Sequence, residues 1–78
     1  MIIHAHTLHI DGTVTKAIVD MPRYRKASSA LVTYGTQARK ADPTVAAIRS
    51  SETGDHYQWI GHYTPEHMAA INAAGSGW

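Results

Sequence analysis

Residues 26 to 41 read KASSALVTYGTQARKA, and this stretch decides the fold. As a helix it gives the chain a second layer; as a strand it lengthens the sheet. Ala27, Ala30, Leu31, Tyr34, Ala38 and Ala41 recur at three- and four-residue steps, the spacing of one face of an amphipathic helix. Ser28 or Ser29 suits its start, and Asp42-Pro43 its end. Against this, LVTYGT is good strand material. Gly35 also costs about 1 kcal/mol relative to Ala inside a helix. The periodicity favours a middle helix over 26–41, with a strand as the alternative.

Upstream, residues 2 to 10 and 13 to 21 are rich in Ile, Val, Thr and His, with Asp11-Gly12 between them. Asp-Gly between two such runs predicts a hairpin, because tight turns need residues that tolerate positive φ. Two registers are open. A two-residue loop sets His6 opposite Ala17; a three-residue loop with a bulge at Gly12 sets His6 opposite Lys16. Pro22, with no N–H to give a ladder, ends the second strand.

Downstream, residues 44 to 50 and 56 to 63 predict a second hairpin around Ser51-Glu52-Thr53-Gly54-Asp55. On its second strand Tyr57, Trp59, Gly61 and Tyr63 share one face, and His56, Gln58, Ile60 and His62 the other. Thr64-Pro65-Glu66 is a helix start: a capping hydroxyl, Pro in the first turn and an acid at the positive end of the dipole. Met68, Ala69, Ile71 and Asn72 continue that helix, and Gly75 stops it. The tail through Ser76 and Gly77 is expected to be flexible unless Trp78 docks. The expected fold class is α+β. A small antiparallel sheet of about four strands from two hairpins carries the C-terminal and middle helices on one face. The other face, or an edge strand, is left for a partner.

The chain has 78 residues and no Cys, so one domain with a thin core is expected, without disulfides or a thiolate nucleophile. A thin core is commonly completed by a partner or a second copy of the chain, which makes homo-oligomers a candidate state. No apolar run approaches the roughly 18 residues of a membrane span, and no basic-then-apolar leader opens the chain. The expectation is a cytoplasmic protein with no membrane partner.

Net charge is +1, unevenly spread. Arg23, Arg25, Lys26, Arg39, Lys40 and Arg49 stand in residues 23 to 49 against Asp42 alone, between mildly acidic flanks. Such a segment suits contact with something acidic. Within it, Arg23 and Arg25 are suited to clamping phosphates or carboxylates and Tyr24 to stacking. Arg39 and Lys40 have a plainer use at the negative end of the middle helix. A small nucleic-acid-binding protein using segment 23–49 is the alternative function, although a pI near 8.2 is only mildly basic. Tyr57, Trp59 and Tyr63 fit either a core or a platform for single-stranded bases. The core is favoured because the chain lacks Phe.

His4 and His6 leave the same face of a strand about 6.5–7 Å apart, a workable spacing for two metal ligands. His9 has the opposite parity, so a third ligand has to come from His56, His62, His67 or Asp20. A His-based metal-binding module is thus a further alternative, and a pH-sensing surface another. The favoured reading gives these histidines surface or packing roles. No nucleophile elbow, phosphate-cradling loop or dinucleotide fingerprint occurs, so neither an enzyme nor a cofactor is expected.

In overall character the hairpin IIHAHTLHIDGTVTKAIVD and the terminal helix TPEHMAAINAAG, on a minimal domain, resemble small accessory proteins of phages and mobile elements of the anti-CRISPR type. The resemblance implies a viral protein that inhibits without catalysis, in the host cytoplasm, by occupying a surface of a CRISPR effector complex. Members share no common motif, so it assigns no residue a role. If it holds, the basic segment is the expected contact, with an acidic protein surface or exposed guide RNA. The chain lacks the acidic excess of a DNA mimic.

Overall fold

The first hairpin takes the bulged register. Strands β1 (Ile2–His9) and β2 (Val14–Asp20) pair antiparallel with His6 opposite Lys16. Gly12 sits at φ +89°, and its N–H donates to the His9 carbonyl at 2.9 Å. The His9 N–H in turn donates to the Thr13 carbonyl, as in a three-residue loop closed by a left-handed residue. The Asp11 carboxylate accepts from the Thr13 N–H (3.0 Å) and hydroxyl (2.6 Å), which braces the turn from within.

This computed structural model describes residues 1–51, 57–60, 63–75 and 77–78. Most of the turn expected at 51–55, together with His56, Gly61, His62 and Ser76, lies outside the described residues, as does the side chain of Tyr57.

Helix α1 (Ala27–Ala41) occupies the stretch that decides the fold. Its start differs from expectation: Lys26 is the N-cap with no side-chain bond, and Ser28 and Ser29 lie inside the first turn. Its end falls at Asp42-Pro43. The Asp42 N–H closes on the Ala38 carbonyl at 2.8 Å, and its carboxylate takes the Thr44 N–H (3.0 Å) and hydroxyl (2.7 Å). Gly35 has a packing reason. A Cβ there would lie 2.7 Å from Ile60 Cδ1 and 2.8 Å from Cγ1, so the bare backbone makes room for Ile60.

Strand β3 (Val45–Ser50) pairs with β1, and β4 (Tyr57–Gln58) with β3, giving the antiparallel order β2-β1-β3-β4. The α+β class holds, with three full strands and, among the described residues, a fourth of two residues. Of the strand expected over 56–63, the described residues show Tyr57–Gln58; the chain leaves the ladder at Trp59 and buries Ile60 against α1. Trp59 departs from the expected aromatic core, Tyr63 is half-buried, and the Tyr57 side chain lies outside the described residues. Ile60 is buried, while Trp59 is 43% exposed, edge-on to Tyr63 with ring centroids 5.3 Å apart.

The helices lie on opposite faces of the sheet rather than together on one. Ile3 and Ala5, with Ile48 and Val45, pack against Ala30 and Leu31 of α1. Leu8 has the other parity and, with Ala46 and Ala47, packs against Ala70 and Ile71 of helix α2 (Pro65–Ala74) and against Trp78. A register shift opposite Leu8/His9 inserts one residue into β3. This bulge turns Ala46 and Ala47 to the same side and returns Val45 to the α1 side. Burial of Ile3, Leu8, Leu31 and Ile48 contributes roughly 1.5–3 kcal/mol for each side chain.

α2 starts as its sequence predicts. The Thr64 hydroxyl accepts from the His67 N–H at 3.3 Å, and His67 Nδ1 accepts from the Thr64 N–H at 3.4 Å, a capping box with His in the usual Glu place. Gly75 ends it at φ +63°. Trp78 docks: it is 6% exposed, and its Nε1 donates to the Gly75 carbonyl at 3.1 Å. Among the described residues no helix is long and apolar enough to cross a membrane.

Candidate partner-binding surface

The seven predicted contact residues separate into four environments. Arg23, Tyr24, Arg25 and Lys26 form the link from β2 to α1, and its three cations are exposed. Tyr24 is half-buried and fastens the loop. Its ring packs on the α1-side core, its hydroxyl accepts from Thr33 Oγ1 at 2.8 Å, and its N–H donates to the Met21 carbonyl at 3.1 Å. The Met1 ammonium adds a tie to the Met21 carbonyl at 2.7 Å. Beside the loop lies an open groove of about 290 Å³ lined by Met21, Pro22, Arg23, Tyr24, Thr33 and Gln37. Tyr24 thus fastens the loop backbone between the two exposed arginines to α1 and to the end of β2.

Arg39 serves the fold instead. Its guanidinium donates to the Ile60 carbonyl and to His67 Nδ1, and it lies 5.7 Å from the Tyr63 ring centroid. With Nδ1 accepting, His67 Nε2 is placed to donate to the Pro43 carbonyl at 3.2 Å. Arg39 thus ties α1 to the segment that crosses from β4 to α2. Burial raises the Tyr63 hydroxyl pKa, opposed by the Arg39 charge. Lys40 is exposed in the last turn of α1, about 20 Å along the axis from Lys26. Arg49 lies on the α2 side of the sheet, 5.8 Å from the Trp78 ring centroid. Of the seven, Arg23, Arg25 and Lys26 are the exposed cations that lie close together in sequence on one loop.

His4 and His6 do share a sheet face, beside Lys16 and Ile18 in a shallow depression of about 340 Å³. His9 faces the other way: Nδ1 meets Thr44 Oγ1 and Nε2 meets Thr15 Oγ1, both at 3.2 Å. His67 is buried at the α1–α2 junction, and Asp20 stands opposite Ile2, two residue pairs along from His4 and Ile18. Among the described residues no group of three or more His, Asp and Glu is placed to hold a metal ion. His56 and His62 lie outside those residues.

Sequence reasoning missed the apolar part of this face. Ile18 is 75% exposed and Ile2 57%. The signal was the adjacent pair Ile18-Val19: consecutive apolar residues on a strand commit both faces, and α1 covers only one of them at β2. No family model matches the chain, and no curated protein or solved structure matches it either.

Proposed function

We propose that this protein is a non-enzymatic inhibitor that occupies a surface of a larger host complex, in the manner of anti-CRISPR proteins. The observation that carries this reading is the fastened basic loop. Arg23, Arg25 and Lys26 are presented together, on a stem held by Tyr24, beside an open groove. Guanidinium groups on a fastened loop suit carboxylates on a protein or phosphates of a guide RNA, and they need no reaction centre. On this reading the partner is a CRISPR effector or its guide RNA, and the protein acts as a phage product in the host cytoplasm. The test titrates purified chain into effectors of several types while following target binding and cleavage. Stoichiometric inhibition is expected, and it is abolished when Arg23, Arg25 and Lys26 are changed to Glu with the circular dichroism unchanged. Inhibition of no effector, or inhibition indifferent to charge reversal, rejects the reading.

Exposed Trp59 favours a second reading, a nucleic-acid binder that stacks single-stranded bases on an aromatic ring. Its mark is affinity for naked single strands that falls steeply with added salt and drops on Trp59→Ala.

A further inference from the structure

We propose that two copies of this chain pair through β2, joining their sheets about a two-fold axis at Ile18. β2 is an outer strand. β1 lies on one side, and among the described residues no strand lies on the other. Its backbone groups divide by parity. The Met21 N–H and the Thr13 carbonyl bond β1. In an antiparallel ladder residues two apart point the same way, so Thr15, Ala17 and Val19 also bond inward. Lys16, Ile18 and Asp20 therefore turn their N–H and C=O groups outward. Their side chains stand on the open face, in rows with His6, His4 and Ile2 respectively.

Charge selects a second copy, in one register. With Ile18 on the axis, Lys16 stands opposite Asp20 of the partner subunit, Asp20 stands opposite Lys16 of the partner subunit, and the two Ile18 side chains meet. All of these are pairs of outward-bonding residues, so each adds ladder hydrogen bonds. An axis at Lys16 or at Asp20 sets like charges face to face, and an axis at Ala17 or Val19 sets a charge against Ile18. Only the Ile18 register satisfies both charges and covers the most exposed large apolar side chain. Neither Lys16 nor Asp20 has an ion-pair partner among the described residues. A lysine on an outer strand ordinarily blocks pairing. Here it blocks the self-matched register, and Asp20 opens the isologous one.

Sedimentation velocity and light scattering test this on the whole chain. The expected species has twice the 8.5 kDa chain mass. Lys16→Asp alone and Asp20→Lys alone should each give monomers, since each sets like charges across the axis. Mixed in equal amounts, the two variants should form a heterodimer, because every cross-axis pair is then complementary. The double swap should restore the homodimer. Both positions are exposed, and thermal melts confirm that each variant folds. A wild-type chain that stays monomeric to millimolar concentration overturns the proposal. So does a dimer that both single variants retain, or a mixture that fails to associate.

Discussion

Gly35 is where local preference and packing collide. Replacing it with Ala gains about 1 kcal/mol of helix propensity. It also drives a methyl into Ile60, whose Cγ1 and Cδ1 lie within 2.8 Å of the new atom. Ile is stiff at χ1, so the side chain cannot simply swing aside, and overpacking costs about 1–3 kcal/mol. Gly35→Ala should therefore destabilise the protein by about 1 kcal/mol in urea unfolding. In an Ile60→Ala background the same change should stabilise it by a few tenths to about 1 kcal/mol. That reversal of sign separates a steric cause from a loss of backbone freedom.

Three exposed carboxylates set the acid limit. Thr13 lowers the Asp11 pKa from its ordinary 3.8, and Thr44 does the same for Asp42, in each case mainly through the hydroxyl hydrogen bond. Glu66 falls below 4.5, first through its own backbone N–H at the start of α2 and then through Thr64. A carboxyl depressed in the folded state stabilises above its unfolded pKa, and the gain is lost as pH falls through the folded value. The contribution of these carboxylates to the thermal midpoint should thus hold from neutrality to about pH 4.5 and decline below it. The Asp11→Ala/Asp42→Ala double variant should start lower and show a shallower decline.

Elements were legible where one local signal sufficed. Asp11-Gly12 announced the hairpin, 3.6-residue periodicity announced α1, and Thr64-Pro65-Glu66 announced α2. The register needed more, since it turns on whether Gly12 alone takes positive φ. The sides chosen by the helices were not legible. They depend on the bulge in β3, and a run such as VAAI gives no alternation to betray it. The contact residues divided similarly. Exposed loop cations were readable from charge, but the inward use of Arg39 depends on Ile60 and His67 arriving from 21 and 28 residues away. Trp78 belongs with these long-range effects. It closes the α2 side of the core, so Trp78→Ala should cost about 3 kcal/mol in urea unfolding and leave a small cavity. The chain has two Trp, so emission distinguishes the sites. Trp78→Ala leaves the half-exposed Trp59 emitting near the wavelength of a solvated indole, whereas Trp59→Ala leaves a blue-shifted spectrum.

At the scale of the whole molecule, a short chain has divided a small apolar supply between two faces of one sheet. The half of the α2 side nearest β2 stays open, which leaves Ile2 and Ile18 in water. A chain of this size buries only about 60% of its unfolded surface, so contact outside the chain can supply a material share of its stability. Pairing through β2 couples that share to concentration. If unfolding separates the copies, a tenfold rise in concentration stabilises a dimer by about 1.4 kcal/mol, or about 0.7 kcal/mol for each chain. In a domain of this length 1 kcal/mol moves the midpoint by about 4–8 °C, so the wild type should melt about 3–5 °C higher for each decade of concentration. Lys16→Asp should melt at one temperature throughout. A basic-loop variant with Arg23, Arg25 and Lys26 changed to Glu should keep the wild-type dependence, because those side chains lie outside the pairing strand. Scanning calorimetry from about 10 μM to 1 mM reads all three. Equal slopes for wild type and Lys16→Asp would detach self-association from β2 and leave the open face to another kind of molecule.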